Sequence, residues 1–178
     1  MARNTTFSFE FYPPQTQEGV TNLMQTAKEL NVYNPDFFSV TFGAGGSTKE
    51  KTLDTVLDLK KSGFNATPHI SCISSSKAEI KELLDKYKSN KINHLVALRG
   101  DNPSGSINFG ELNYANELVN FIKSEMGDTF KIDVGAYPEV HPESETAKQD
   151  FINFKNKVEA GADSAITQFF YNVDAYFK

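Results

Sequence analysis

The chain has 178 residues, enough for one domain with a real hydrophobic core. Hydrophobic residues make up 39% and charged residues 23%, which excludes a disordered chain. A net charge of −5 and a pI of about 5.2 argue against a nucleic-acid surface, which carries a basic stripe. No run approaches the ~20 apolar residues of a membrane helix, and the first residues lack the apolar stretch of a signal peptide. The single cysteine, Cys72, cannot form an internal disulfide. The expected compartment is the cytoplasm.

The spacing predicts a first strand over 6–11, with Phe7, Phe9 and Phe11 on one face and Ser8, Glu10 and Tyr12 on the other. A helix over 17–30 follows. A second strand over 36–42 sets Phe38, Val40 and Phe42 against Ser39 and Thr41. The glycine-rich turn from Gly43 to Thr48 has neither the lysine of a P-loop nor a dinucleotide fingerprint. It reads either as a plain turn or as one that lets a ligand approach the backbone. The next helix, 48–62, opens on a capping box from Ser47 to Glu50 and closes at Gly63.

A third strand over 64–71 sets Ala66, Pro68 and Ile70 against Thr67, His69 and Ser71. Ser76 and Glu79 form a second capping box, at the head of a helix over 77–89. A fourth strand over 93–98 leads into Arg99-Gly100-Asp101 and a polar loop over 102–108. Helix 113–126 places Leu112, Ala115, Leu118, Val119 and Ile122 on one stripe, as a helix lying on a sheet requires. A fifth strand over 131–136 runs on toward His141. A fifth helix over 146–160 ends at Gly161, and a sixth strand over 164–170 carries Gln168. A sixth helix begins near Val173.

Strand–helix alternation with reactive groups at the strand carboxyl ends is how a (β/α)8 TIM barrel builds a site. The fold class is therefore α/β, of TIM-barrel type, with about six of the eight βα units present. Residues 1–178 are expected to form a single, partial catalytic barrel domain. A doubly wound open sheet is the competing arrangement.

Glu10 is the sharpest single position. A carboxyl among Phe9, Phe11 and Tyr12 loses solvation, so its pKa rises and it can serve as a general acid. The plainer alternative is a solvated edge glutamate or an ion-pair partner. Arg99 offers a forked donor, Gly100 a close backbone approach and Asp101 a fixed negative charge; a simple surface ion pair would also explain them. His69 and His141 fall at strand ends, without the i,i+4 partner or cysteine companion that zinc would need. His94, at the start of its strand, falls at the opposite, stabilising end of the barrel. Cys72 reads as an inert buried thiol rather than a nucleophile. Asp150, Asn153 and Lys157 share one helix face. That face could grip a ribose and a phosphate, or be a solvated helix surface.

Six collinear stretches carry a further signal: SFEFYPP (8–14), FFSVTFGAGGST (37–48), TPHISCI (67–73), HLVALRGDNP (94–103), GAYPEVHPES (135–144) and ADSAITQFFYNVDAY (162–176). Together they resemble the methylenetetrahydrofolate reductase family of one-carbon metabolism and methionine biosynthesis. The resemblance implies a barrel that holds FAD and passes hydride from NAD(P)H to 5,10-methylenetetrahydrofolate in alternating half-reactions. It implies that Glu10 is the general acid and that Asp101 lies near the cofactor and the folate. It places FAD contacts on Thr41, His69, Arg99, Gly100, Asp101, Tyr137, His141, Asp150, Asn153 and Lys157, and a folate contact on Gln168. The implied partners are the folate substrate, a nicotinamide nucleotide and further copies in a homo-oligomer, with no nucleic acid or membrane. Family members continue through two more strand–helix units, so a carboxy-terminally truncated barrel is expected. The rival reading is a non-catalytic flavin- or folate-binding form that needs a partner or self-assembly. An unrelated pterin enzyme, such as a dihydropteroate-type synthase or a methyltransferase, is a third.

Overall fold

A computed structural model of the chain describes residues 7–42, 49–100 and 110–177. Six strands form one sheet: β1 (Ser8–Phe11), β2 (Phe37–Val40), β3 (Ala66–Ser71), β4 (His94–Leu98), β5 (Lys131–Ala136) and β6 (Ser164–Thr167). Between them run α1 (Gln17–Leu30), α2 (Lys49–Lys61), α3 (Lys77–Ser89), α4 (Ala115–Met126) and α5 (Ala147–Glu159), and α6 (Val173–Tyr176) comes last. All neighbouring strands are parallel and their order in space is their order in sequence. A doubly wound sheet would reverse direction at a switch point. Here the sheet curls one way, as a TIM-type barrel does, and β1 and β6 are its edges.

Alternation decides which residues face the helices. Phe38, Val40, Ile70, Leu95, Ala97, Ile132 and Val134 are buried with Val56 and Leu59 of α2, Leu84 of α3, and Leu118 and Ile122 of α4. Phe11 and Phe9 stack on Phe38 at 5.4 and 6.1 Å, and Phe64 meets its edge at 5.5 Å. Aromatic pairs of this kind add to the burial of their area. The opposite residues line the concave face, where Ser39, Thr67, His69, Ser71 and Asp133 are all buried.

The helix boundaries follow the expected caps. Ser76 and Glu79 complete a capping box at the head of α3. Gly63 and Gly161 take positive φ of 87° and 106° beyond α2 and α5. Ser47 of the first box, the turn of Gly43 to Thr48 and the loop 102–108 lie outside the described residues. Leu112 stands ahead of α4 rather than within it, yet is buried with the stripe it was grouped with. The sixth strand is shorter than expected: ladder pairing ends at Thr167, after which Gln168 adds one bond to the Ala136 carbonyl. Among the described residues no helix is long and apolar enough to cross a membrane.

At the amino end of the sheet the concave face closes over a polar chain. His94 Nε2 lies 2.8 Å from Asp133 Oδ2, and its Nδ1 lies 3.1 Å from Thr67 Oγ1. Ser164 Oγ donates to the other Asp133 oxygen, and Lys131 Nζ stands 3.8 Å away. A carboxylate only accepts, so Nε2 carries a proton, and in the neutral ring Nδ1 accepts from the Thr67 hydroxyl. Burial alone would raise the Asp133 carboxyl. Hydrogen bonds from His94 and Ser164 outweigh it and hold the carboxyl below its ordinary value. The stabilising place expected for His94 is where it stands, but its partner Asp133 carried no sequence signal beyond its inward position between Ile132 and Val134.

Candidate active site

Glu10 projects from the concave face of β1, beside Ser39 in register. Its Oε2 stands 3.4 Å from Nε2 of His69, which reaches across from β3. The approach lacks hydrogen-bond geometry, and that nitrogen is buried with no hydrogen-bond partner among the described residues. Between β1 and β6 lies a cavity of about 620 Å³ lined by Ser8, Glu10, Ser39, Ile166, Thr167, Phe169 and Phe170. Loss of solvent raises the Glu10 carboxyl above its ordinary value. Burial pushes the His69 imidazole down to about 4. The two facing groups are thus both biased toward their neutral forms, as removal from water dictates.

The expected shift of Glu10 is present, but not for the expected reason. Phe9 and Phe11 turn toward the helices, where they pack against the core, and Tyr12 is 80% exposed. Residues adjacent along a strand point to opposite faces. The concave wall, rather than the flanking rings, is what Glu10 shares.

His69 carries a testable pH dependence. Its folded pKa lies below the unfolded value, so the unfolded chain takes up the proton first. Stability present above about pH 6.5 should fall as the pH drops toward about 4, by about 3 kcal/mol if the shift is fully expressed. Thermal melts of the wild type over that range should show the loss, and His69→Gln should flatten it. Equal slopes for the two proteins would refute this assignment.

Around the rim, Thr41 follows β2. Its carbonyl accepts from Thr52 Oγ1 at 2.9 Å, while its own Oγ1 is buried without a partner among the described residues. Arg99 follows β4, and its carbonyl accepts from Ser71 Oγ at 2.6 Å and from the amide of Ile73 at 3.0 Å. Gly100 has φ of +87°, and a side chain there would run into Ser71 Oγ and come within 3.0 Å of Ile73 Cγ2. Both facts require glycine. The Arg99 guanidinium forms a two-pronged pair with Glu143, whose Oε1 lies 2.8 Å from Nη2. Asp101 lies outside the described residues.

Past β5, the rings of Tyr137 and His141 meet edge to face at 4.4 Å. Asp150, in the first turn of α5, accepts from the His141 amide and from Ser144 Oγ, each at 3.1 Å. It therefore fixes the β5–α5 loop. Lys157 donates to the Gly135 carbonyl at 2.8 Å and lies 5.9 Å from the Tyr137 ring centroid. Burial lowers its pKa, against the opposing influence of Asp150. Asn153 is exposed and accepts from Gln149 Nε2 at 3.0 Å. Gln168 is exposed, its Oε1 accepting from the Phe169 amide at 3.0 Å. The shared helix face is real, but its three members have different partners. Cys72 is buried and its thiol is pushed up to about 11, which suits an inert thiol.

A family model, Methylenetetrahydrofolate reductase, matches residues 1–178. The chain belongs to the methylenetetrahydrofolate reductase family. The 5,10-methylenetetrahydrofolate reductase of Salmonella typhimurium is 44% identical over 172 residues, covering 96% of this chain and 57% of that protein. The Escherichia coli enzyme of the same name matches to the same extent, 44% over 172 residues. Methylenetetrahydrofolate reductase (NADH) 1 of Arabidopsis thaliana is 39% identical, across 98% of this chain and 32% of that protein. The chain thus spans little more than half the length of its bacterial relatives.

Two solved structures support the family's barrel architecture. A Clostridium thermocellum protein that binds two copies of 5-methyl-5,6,7,8-tetrahydrofolic acid aligns with a TM-score of 0.64 at 15% identity, covering 97% of this chain and 56% of that one. The aldolase QR15 aligns with a TM-score of 0.60 at 14% identity, covering 94% and 70%. At such low identity these likenesses show the fold alone. In this member of the reductase family, the fold brings together Glu10, His69 and Ser39. It groups Arg99, Tyr137, His141, Asp150 and Lys157 through the β5–α5 loop, with Glu143 as an additional member.

Proposed function

We propose that this chain carries the FAD site of a methylenetetrahydrofolate reductase and reduces 5,10-methylenetetrahydrofolate to 5-methyltetrahydrofolate with electrons from NAD(P)H. The observation that carries the reading is the 3.4 Å approach of His69 to Glu10, which lines the cavity. It supplies a carboxyl biased toward its protonated form, beside an imidazole that stays neutral.

The residues present suit the cofactor. Two of the three buried side-chain polar atoms without a hydrogen bond among the described residues are Thr41 Oγ1 and His69 Nε2. Buried polar atoms ordinarily find partners, so these two await one. Thr41, His69, Arg99, Gly100, Tyr137, His141, Asp150, Asn153 and Lys157 would hold FAD, together with Asp101. Bound FAD would supply a two-electron carrier between the nicotinamide and the folate. Glu10 holds a proton at its carboxyl and delivers it to N10 of the folate, which opens the five-membered ring and makes the one-carbon bridge a hydride acceptor. Asp101 and Gln168 complete the folate contacts. Lys157 contributes positive charge near the rim.

Lys157→Ala should therefore cut the flavin retained through desalting by about tenfold, as loss of a charge-assisted contact predicts. The flavin-to-protein absorbance ratio measures it, and an unchanged ratio would reject the role.

In this reading residues 1–178 form one partial catalytic barrel domain of a cytoplasmic homo-oligomer. A second reading, a non-catalytic flavin or folate binder, is favoured by the 54% exposure of the Glu10 side chain. An absorption spectrum in the flavin region separates the two. Yellow protein that NADH bleaches and methylenetetrahydrofolate restores supports the reductase. Yellow protein that does not bleach supports the binder. Colourless, folded protein that refuses added FAD rejects both.

A further inference from the structure

Glu143 lies in the β5–α5 loop, and nothing in the site's chemistry so far gives it a task. Its carboxylate meets the guanidinium of Arg99, 44 residues earlier, through both terminal nitrogens, while Arg99 Nε donates to the Gly100 carbonyl at 3.2 Å. An isolated ion pair at a surface contributes little. This one differs in geometry. It is two-pronged, it fastens the end of β4 to the loop after β5, and its arginine is only 24% exposed. The backbone of the same residue performs a second task. The Glu143 amide donates to His141 Nδ1 at 3.1 Å, so that nitrogen is unprotonated and the neutral ring carries its proton on Nε2. One residue thus sets the direction of Arg99 and the tautomer of His141.

We infer that Glu143 is a positioning residue of the flavin site, holding the Arg99 guanidinium in its binding orientation before the ligand arrives. The inference rests on the flavin reading given above. An unrestrained arginine would lose rotamer freedom on binding; one already fixed by a fork loses little. Lysine cannot substitute for the fork, because its ammonium is a point charge.

The test is a flavin-fluorescence titration of the whole chain with FAD. It compares the wild type, Glu143→Gln, Glu143→Asp, Arg99→Lys and the double variant Arg99→Lys with Glu143→Gln. Glu143→Gln should bind FAD about tenfold more weakly, with its melting temperature almost unchanged because the side chain is 61% exposed. Glu143→Asp, which keeps the charge, should recover part of the loss. In the Arg99→Lys background Glu143→Gln should cost far less, because the two-pronged contact is already gone and only a point-charge pair remains to be lost. Wild-type affinity in Glu143→Gln would overturn the inference and leave the flavin reading intact. So would the same fold loss in both backgrounds. A wild type that takes up no FAD would overturn the flavin reading and this inference with it.

Discussion

Glu10→Gln should slow folate reduction by the flavin-loaded chain about a hundredfold to ten-thousandfold, the range a positioned general acid contributes. Reduction by NADH should continue at close to the wild-type rate, because that half-reaction needs no proton delivered to N10. Glutamine keeps the volume and polarity of the side chain and removes only its acidity. The pH profile gives a second readout. In the proposed role the protonated carboxyl is the active form, so folate reduction should fall as the pH rises through the raised pKa of Glu10, and the variant should show no such limb. Stopped-flow measurement of the two half-reactions separates them. If both fell together, Glu10 would be holding the cofactor rather than donating the proton.

Asp133→Ala should be the most destabilising of the substitutions considered, at about 3 kcal/mol, the combined loss of two hydrogen bonds to a buried carboxylate. The carboxylate is 3% exposed and accepts from both His94 and Ser164. Its removal leaves His94 Nε2–H, on a side chain 15% exposed, without its acceptor. Urea denaturation should show a lower midpoint with an unchanged slope, and the melting temperature should fall by about 10 °C. Acid adds a check on sign. The folded pKa of Asp133 is depressed, so its contribution is complete above the unfolded value near 3.9 and disappears as the pH falls through the folded one. Asp133→Asn should lose that part of the acid transition. A variant as stable as the wild type would show that the polar chain holds nothing together.

Much of the architecture was legible because two periodicities act independently. Period-two alternation in β2 and β3 assigned Phe38, Val40 and Ile70 to the helix side and Ser39, Thr67, His69 and Ser71 to the concave side, where each is found. Helical spacing assigned the α4 stripe just as directly. Glycines closing α2 and α5, and serine with glutamate opening α3, mark boundaries through local backbone chemistry that needs no tertiary context.

Long-range partnerships were not legible. Thr67, His94 and Asp133 meet across separations of 27 and 39 residues, which only strand register creates. Glu143 was part of a quoted stretch, yet its pairing with Arg99 depends on how the β5–α5 loop folds back. Asp150, Asn153 and Lys157 share a face by spacing, but spacing says nothing of the loop that Asp150 ties down or the carbonyl that Lys157 reaches. The pKa of Glu10 was expected to rise through its sequence neighbours, whereas partial burial against the concave wall raises it.

The proposed proton donor sits on a boundary strand. The Glu10 side chain is 54% exposed, and its carboxyl is already shifted upward. Any surface laid against β1 would strip further water from it and weaken it as an acid in the ordinary sense, extending the pH range over which it keeps its proton. In the proposed role, the more closely β1 is covered, the more alkaline the medium in which the donor stays loaded.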